Sequence, residues 1–418
     1  MESEEVRGRF RCADRPSRFV DRESQEIQLT EGSVIGADER GAAWAVLLEC
    51  ASPKFDLCAL AETLRGQPDW TALRTLAEEH GVTGLLAERI GELEESCVPQ
   101  EVRQELRAKR RAQILFCMSL NAELFRLIEK FSEARIEAMV VKGPVLSARA
   151  YGDPGMRRYE DVDLLVRQRD VLRFTELLTA EGYEPKVPPR TIRAGRVPGE
   201  YLFKWPGTNR RIELHTEETL RYFPRWLPVE NFFARRAYQS VDGHAVSALC
   251  AEDELVLVCV HNAKHFWERL MWVADVAGLI ASQEELDWER ALSTAREVGA
   301  ERMLILGLRL AEQVLRVKVP EKMESVVRAD AGVERLAEEI IERLPSARGA
   351  SRGVAGRALF RMRMRGGFFP GAGYLLRLTF SPTEEDWREN ATEKQGRILE
   401  TLQRPVRLAR KYWSRDDG

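Results

Sequence analysis

The residues of this chain with the clearest chemistry are Asp161 and Asp163, in the run Asp161-Val162-Asp163-Leu164-Leu165-Val166. On a strand, side chains two apart project from the same face, so both carboxylates share a side. Like charges so placed repel one another unless a cation neutralises them. Carboxylate oxygens are hard ligands that suit Mg²⁺, which takes one or two of them together with substrate phosphates. Upstream, Met139-Val140-Val141 reads as a short buried strand ending in Lys142-Gly143, and Pro144 fits the first position of a helix running to about Tyr151. A glycine turn into a helix start offers backbone N–H groups to an anion, and Lys142 adds a point charge. An ordinary strand edge carrying two solvated acids is the plainer alternative.

A second cluster lies downstream. Tyr201-Leu202-Phe203-Lys204-Trp205 and Arg211-Ile212-Glu213-Leu214-His215 flank Pro206-Gly207-Thr208-Asn209, the pattern of a hairpin. With Ile212 and Leu214 toward the core, Glu213 and His215 share the opposite face. A third carboxylate belongs there if this strand pairs beside the Asp161/Asp163 strand; His215 can serve as a hydrogen-bond partner, a core residue or a substrate contact. Further on, His261 and His265 stand at i and i+4 on one helix face in His261-Asn262-Ala263-Lys264-His265-Phe266-Trp267. The glutamate of a zinc-protease HExxH motif is missing, so the pair is no such signature. His80, at the end of a helix in Glu79-His80-Gly81-Val82, reads as a capping or surface residue.

Taken in order, Lys142-Gly143, Tyr151 with Pro154-Gly155, Arg157 and Asp161-Val162-Asp163-Leu164-Leu165-Val166 resemble the nucleotidyltransferase superfamily of DNA polymerase beta, and within it a bacterial branch known simply as nucleotidyltransferase family proteins. The resemblance implies an α+β fold: a small mixed β-sheet core with flanking helices, embedded between N-terminal and C-terminal helical regions. It implies transfer of an NMP from an NTP, ATP foremost, to an acceptor with release of pyrophosphate. Asp161, Asp163 and Glu213 would then hold two Mg²⁺ ions, with Mn²⁺ as the alternative ion, while Lys142 and Gly143 grip the triphosphate. Arg157 matches the family's arginine and would neutralise phosphate charge. Lys264 or His261 would reach phosphate from a closing helical domain, against the plainer reading of a polar face at a domain junction. The chain departs from the pattern twice. Glu213 stands where the family carries Asp, and Pro144 follows the glycine where relatives place a small polar residue, the first serine here being Ser147.

The elements that must position these residues can also be read. The chain has 418 residues, of which 44% are hydrophobic and 31% charged, values of a globular protein with two or three domains. A net charge of −3 gives no global case for nucleic acid. The 7 cysteines form no CxxC pair, which points to a reducing compartment, and no apolar run spans a bilayer, so a cytoplasmic protein is expected. Residues 1–40 read as disordered, 41–131 as helical, 132–240 as the catalytic core, 241–342 as a helical domain over the active site, and 343–418 as an Arg-rich linker with further helices. Helices are expected over about Val102 to Phe131, carrying Leu115, and over Asp170 to Glu181, burying Leu172; the chain is expected to be helical beyond Asn231. The loop Pro185 to Gly199 reads as mobile and able to cover a substrate. Arg343, Arg348, Arg352, Arg357, Arg361, Arg363 and Arg365 occur with no acid between them, either as an RNA or polyanion contact or as a solvated helix. The acceptor is open among a small molecule, tRNA and a protein. A toxin-like tRNA nucleotidyltransferase or protein AMPylase is the alternative reading, and a catalytically idle nucleotide-binding module the second.

Overall fold

Strand β1 (Met139–Val140) pairs antiparallel with β2 (Val162–Leu165), and β2 pairs parallel with β5 (Arg211–His215). Alternation explains why the segments sit so. Val162 and Leu164 face a core with Phe174, Leu178, Tyr201, Phe203, Ile212 and Leu214, whereas Leu165 and Met139 face the other way into a larger helical core. Each fully buried Val, Leu or Phe contributes roughly 1.5–3 kcal/mol, so a one-residue slip that exchanged the faces would be prohibitive. With β3 (Glu184–Pro185) and β4 (Glu200–Lys204) on one side and β6 (Ala237–Val241) and β7 (His244–Ala248) on the other, the order is β3-β4-β5-β2-β1-β7-β6.

The coordinates are a computed structural model that describes residues 37–193, 199–208, 210–217, 225–283, 285–346, 354–365, 371 and 373. Helices α1 (Ala37–Ala51), α2 (Leu57–Leu64), α3 (Trp70–Glu79), α4 (Thr83–Glu92) and α5 (Gln100–Glu133) precede the sheet. Between its strands run α6 (Gly143–Tyr151), α7 (Val171–Ala180), α8 (Pro189–Arg193) and α9 (Val229–Ala234). After it come α10 (Ala251–Lys264), α11 (Leu270–Ser282), α12 (Trp288–Glu297), α13 (Glu301–Leu315), α14 (Glu321–Arg328), α15 (Ala331–Arg343) and α16 (Val354–Arg363). The fold is therefore α+β, a mixed sheet with helical regions before and after it. Local chemistry sets several ends: Asp69 accepts hydrogen bonds from the N–H groups of Thr71 and Ala72 at the start of α3, and Pro144 lies in the first turn of α6.

Four expectations need correction. The chain is not helical throughout beyond Asn231, because β6 and β7 form a hairpin that extends the sheet to Ala248. Its turn is Asp242-Gly243, with φ of 48° and 82°, the pair of positive angles that a two-residue hairpin of the right twist requires. Leu172 does not belong to the buried stripe of its helix but is 38% exposed. The 185–199 loop holds α8, and α1 already begins at Ala37. The expected disorder of residues 1–36 and the C-terminal segments around Trp387 and Arg404 lie outside the described residues. No described helix is long and apolar enough to cross a membrane.

Candidate active site

Parallel pairing of β2 and β5 puts Asp163 directly beside Glu213, and His215 follows on the same face. Oxygen or nitrogen atoms of Asp163, Glu213 and His215 all lie within 4.8 Å of one another. His215 Nε2 is 2.7 Å from Asp163 Oδ1 and 3.8 Å from Glu213 Oε2, and its Nδ1 is 3.9 Å from Glu200 Oε1. Three carboxylates thus crowd one imidazole.

The electrostatics follow from that crowding. Burial, with the charges of Glu200 and Asp163, pushes the Glu213 carboxyl up to about 7 despite His215 and Lys264. Burial would raise Asp163 too, but the Lys142 ammonium and the His215 hydrogen bond outweigh it and hold the carboxyl well below its usual range. His215 is the mirror case: burial favours the neutral ring, and the bond to Asp163 with the charge of Glu213 raises it instead. Asp161, just before β2, is raised by burial and then by Asp163, with Lys142, Arg211 and His215 acting against this. The tightest acidic grouping is therefore Asp163, Glu213 and His215, with Asp161 at its margin rather than inside it.

Lys142 and Gly143 take up φ of 58° and 46°. A non-glycine residue there is strained, and a Cβ on Gly143 would find ordinary contacts, so the glycine answers to the backbone angle rather than to space. The turn sends Lys142 Nζ to Asp163 Oδ2 at 3.1 Å and to His261 Nδ1 at 3.5 Å. Burial, then the charges of Lys142, His265 and Lys264, hold His261 far down, so its neutral Nδ1 accepts from the lysine. His265, 4.7 Å from the His261 ring, is pushed down to about 3 by burial and neighbouring cations. Lys264 is partly buried on the same helix, and its charge acts on Glu213.

Arg157 is placed differently from an open phosphate clamp. Its Nε donates to Asp275 Oδ2 at 2.9 Å, and Tyr151 OH donates to Asp275 Oδ1 at 2.9 Å. Arg158 points outward, 63% exposed and over the Phe116 ring. Ser147, fully buried, accepts from the Arg157 N–H at 3.0 Å and donates to the Asp153 carbonyl at 2.7 Å. Its hydroxyl braces the loop leading to Asp161. The same loop is tied to α5, where Arg110 donates to the Gly155 carbonyl at 2.7 Å and Gln113 to the Met156 carbonyl at 2.7 Å. Sequence reading named Arg157 without pairing it with Asp275, and it missed Ser147 as a brace. No local signal exists for a bond across 118 residues.

A sheet with a shielded acidic cage, a cationic turn at a helix start and an overlying helix is what family comparison then explains. The chain belongs to a family of uncharacterised nucleotidyltransferases, whose model matches residues 66–316. It is a nucleotidyl-transferring enzyme by that membership, and every site residue described above falls inside the matched segment, whereas Arg343 to Arg365 lie beyond it. No curated protein matches the chain. Among solved structures, an antigenic nucleotidyltransferase-like protein from Paracoccidioides brasiliensis is 16% identical, with 51% of this chain and 97% of that chain covered at a TM-score of 0.31. So slight a likeness carries no argument.

Proposed function

We propose that this nucleotidyltransferase moves an NMP from an NTP, ATP foremost, to an acceptor hydroxyl with release of pyrophosphate, in the manner of the DNA polymerase beta-like superfamily and its bacterial branch. The observation that carries this reading is the register Asp163↔Glu213, which builds one cage from two separate strands. The donor set fits a hard divalent cation: carboxylate oxygens from Asp163 and Glu213, with Asp161 beside them, where burial and then the neighbouring carboxylates raise Glu213. Mg²⁺ is the ion we assign, as a pair, with Mn²⁺ able to use the same oxygens and the nearby imidazole. When bound, such ions neutralise charge on the transferring phosphate and lower the pKa of the acceptor hydroxyl.

The chain's own residues do the rest by position and charge. Lys142 is held by His261 against Asp163, from where it reaches phosphate oxygens that enter beside the cage. Gly143 opens α6, and the free N–H groups of a helix start would favour a phosphate there. Arg157, fixed by Asp275, lends its charge to the site and keeps the Asp161 loop in place. His215 orients Asp163 and passes or holds a proton at Nε2. We assign 132–240, with the hairpin to Ala248, to catalysis, 41–131 and 241–342 to the helical regions that frame it, 343–418 to the remainder, and a cytoplasmic setting. The acceptor is open among small molecule, tRNA and protein.

Incubation with each α-labelled NTP, Mg²⁺ and pools of small molecules, tRNA or protein tests this. Pyrophosphate release that an Asp161→Ala/Asp163→Ala variant lacks is the expected result, with the labelled pool naming the acceptor. Release of no pyrophosphate with any pool would sink the reading and leave a nucleotide-binding module.

A further inference from the structure

Both oxygens of Asp163 are engaged by other side chains of the protein. Lys142 Nζ lies 3.1 Å from Oδ2, and His215 Nε2 lies 2.7 Å from Oδ1. A divalent ion that uses Asp163 together with Glu213 must therefore displace or share one of these contacts. The two partners are held differently. The His215 ring is wedged among Asp163, Glu213 and Glu200, with nitrogens 2.7, 3.8 and 3.9 Å from their oxygens, and it sits on β5, paired to the Asp163 strand. Lys142 reaches Asp163 on a flexible four-carbon stem, and its ammonium has a second partner 3.5 Å away in His261 Nδ1 of α10. The lysine is the partner free to leave.

The backbone shows that this lysine is placed against a steric preference. Lys142 has φ 58° with ψ −140°, outside the left-handed helical region that non-glycine residues sometimes visit and close to one that is essentially glycine's own. The turn is pinned on both sides. The Val141 N–H donates to the Asp163 carbonyl at 3.0 Å, and the Lys142 carbonyl accepts from the Leu146 N–H at 3.1 Å. Any movement of the ammonium is thus confined to its stem. Strain of this kind persists where surrounding structure enforces it, and it collects at switching and binding sites. A glycine here would relieve the strain but could not supply the charge.

We infer that Lys142 is an exchangeable counter-ion of the cage: its ammonium neutralises Asp163 while no nucleotide is bound, and it turns to phosphate oxygens when one enters, freeing Oδ2 for a divalent ion. Cation and nucleotide then bind as a linked pair. A nucleotide that draws the ammonium away strengthens the cage for the cation, and by reciprocity the cation strengthens nucleotide binding by the same factor. Without nucleotide the cation has to compete with Lys142 for one oxygen. The nucleotide's part rests on the nucleotidyl-transfer reading; the competition between ammonium and cation does not.

Mn²⁺ binding to the full chain without nucleotide, read by electron paramagnetic resonance, is the first test. Lys142→Met keeps a long apolar stem and loses the charge, and it is expected to bind Mn²⁺ about tenfold more tightly than the native protein. Should its melting curve show that this variant does not fold, Lys142→Gly relaxes the backbone angle and is expected to tighten Mn²⁺ likewise. Unchanged or weaker Mn²⁺ binding in the folded variant, or no Mn²⁺ bound by either protein, overturns the inference. The second test follows the lysine itself, through acetylation of the native protein by acetic anhydride quantified at Lys142 by mass spectrometry. Mg²⁺ alone is expected to speed modification of Lys142 severalfold by releasing its amine from Asp163, and ATP with Mg²⁺ to slow it again. A rate at Lys142 indifferent to Mg²⁺ overturns the inference. Since the Mn²⁺ measurement uses neither nucleotide nor acceptor, tightened binding in Lys142→Met beside absent pyrophosphate release keeps the counter-ion and sinks the catalytic reading. Pyrophosphate release beside unchanged Mn²⁺ binding sinks the inference alone.

Discussion

Two regions of the molecule hold buried charge, and they hold it in opposite ways. At the seam between α6 and the following helices, each charge meets a counter-charge: Arg157 with Asp275, itself hydrogen-bonded to Tyr151, and Arg149 with Glu254 and the Leu249 carbonyl. In the cage on β2 and β5, Lys142 and His215 lie against Asp163, Arg211 acts on Asp161 and Lys264 on Glu213. Yet three carboxylates gather round one imidazole, and burial leaves Glu213 raised to about 7, as burial also raises Asp275 and Glu254 at the seam. A paired region resists change, since removing one partner strands the other. An underpaired one is built to receive positive charge, as a cation-assisted phosphoryl site requires.

The largest effect should come from breaking the cage. Asp163→Asn removes the carboxylate that both Lys142 and His215 bind, and at least about 10²–10³-fold of the transfer rate is expected to go with it. Rate measurement alongside Mn²⁺ titration by electron paramagnetic resonance checks both halves of the claim. Near-native Mn²⁺ affinity in this variant would remove the cage from the mechanism.

Next is the seam. Asp275→Ala leaves the buried Arg157 guanidinium without its partner and takes an acceptor from Tyr151, at a cost of about 3–5 kcal/mol. Urea unfolding reads this directly, and Asp275→Asn should cost less because one amide oxygen can still accept. An unfolding free energy unchanged in Asp275→Ala would mean the seam is not paired as described.

These two regions differed in legibility as well. The cage could be read because strand alternation is local: Asp161-Val162-Asp163 and Ile212-Glu213-Leu214-His215 each declare a face, and the polar turn between β4 and β5 announces its hairpin. Their pairing needed only the assumption of adjacent strands. The membership of His215 in the tightest grouping, and the marginal place of Asp161, depended on where β2 begins, which alternation does not fix. The seam could not be read, since Arg157 and Asp275 are joined by folding alone. The β6–β7 hairpin was missed for another reason. Its Asp242-Gly243 turn is a strong signal, but strands exposed along one face, with Tyr238 at 66% exposure, lack the apolar alternation that marks a strand. Leu172 shows the converse failing, because helical periodicity does not say which leucine lies just outside the buried stripe.

His80 extends the comparison to the N-terminal helices, where the lone histidine is the C-cap of α3 but is fully buried rather than at the surface. Its Nδ1 accepts from the Leu270 N–H at 3.1 Å, joining α3 to the start of α11. Burial, then Arg269, pushes its pKa from 6.5 down to about 4. The unfolded chain therefore takes up the proton first, and stability present above pH 6.5 is lost as pH falls toward 4, up to about 3 kcal/mol. His80→Asn keeps an acceptor near the Nδ1 position without titrating in this range. Urea midpoints of the two proteins should converge as pH drops from 7 to 5, and a constant gap would contradict the neutral buried ring.

The smallest effect is the sharpest discriminator, because its sign should be opposite in the two regions. Glu213→Gln takes one negative charge from the cage while keeping nearly the same shape. Burial and the charges of Glu200 and Asp163 disfavour the carboxylate more than His215 and Lys264 favour it, so neutralising it relieves the cation-free protein. At pH 8, where Glu213 is ionised in both the folded and the unfolded chain, the variant should be more stable by about 1–2 kcal/mol, discounted for the 29% exposure of the side chain. Addition of Mg²⁺ should stabilise the native enzyme and not the variant, since ligand binding raises stability only where the site can bind. Burial raises Asp275 as well, but Asp275→Asn leaves the buried Arg157 guanidinium without its counter-charge and should therefore destabilise with or without Mg²⁺. Two isosteric substitutions moving the melting temperature in opposite directions would show that the cage trades stability for cation binding while the seam does not; movement in the same direction would erase the distinction.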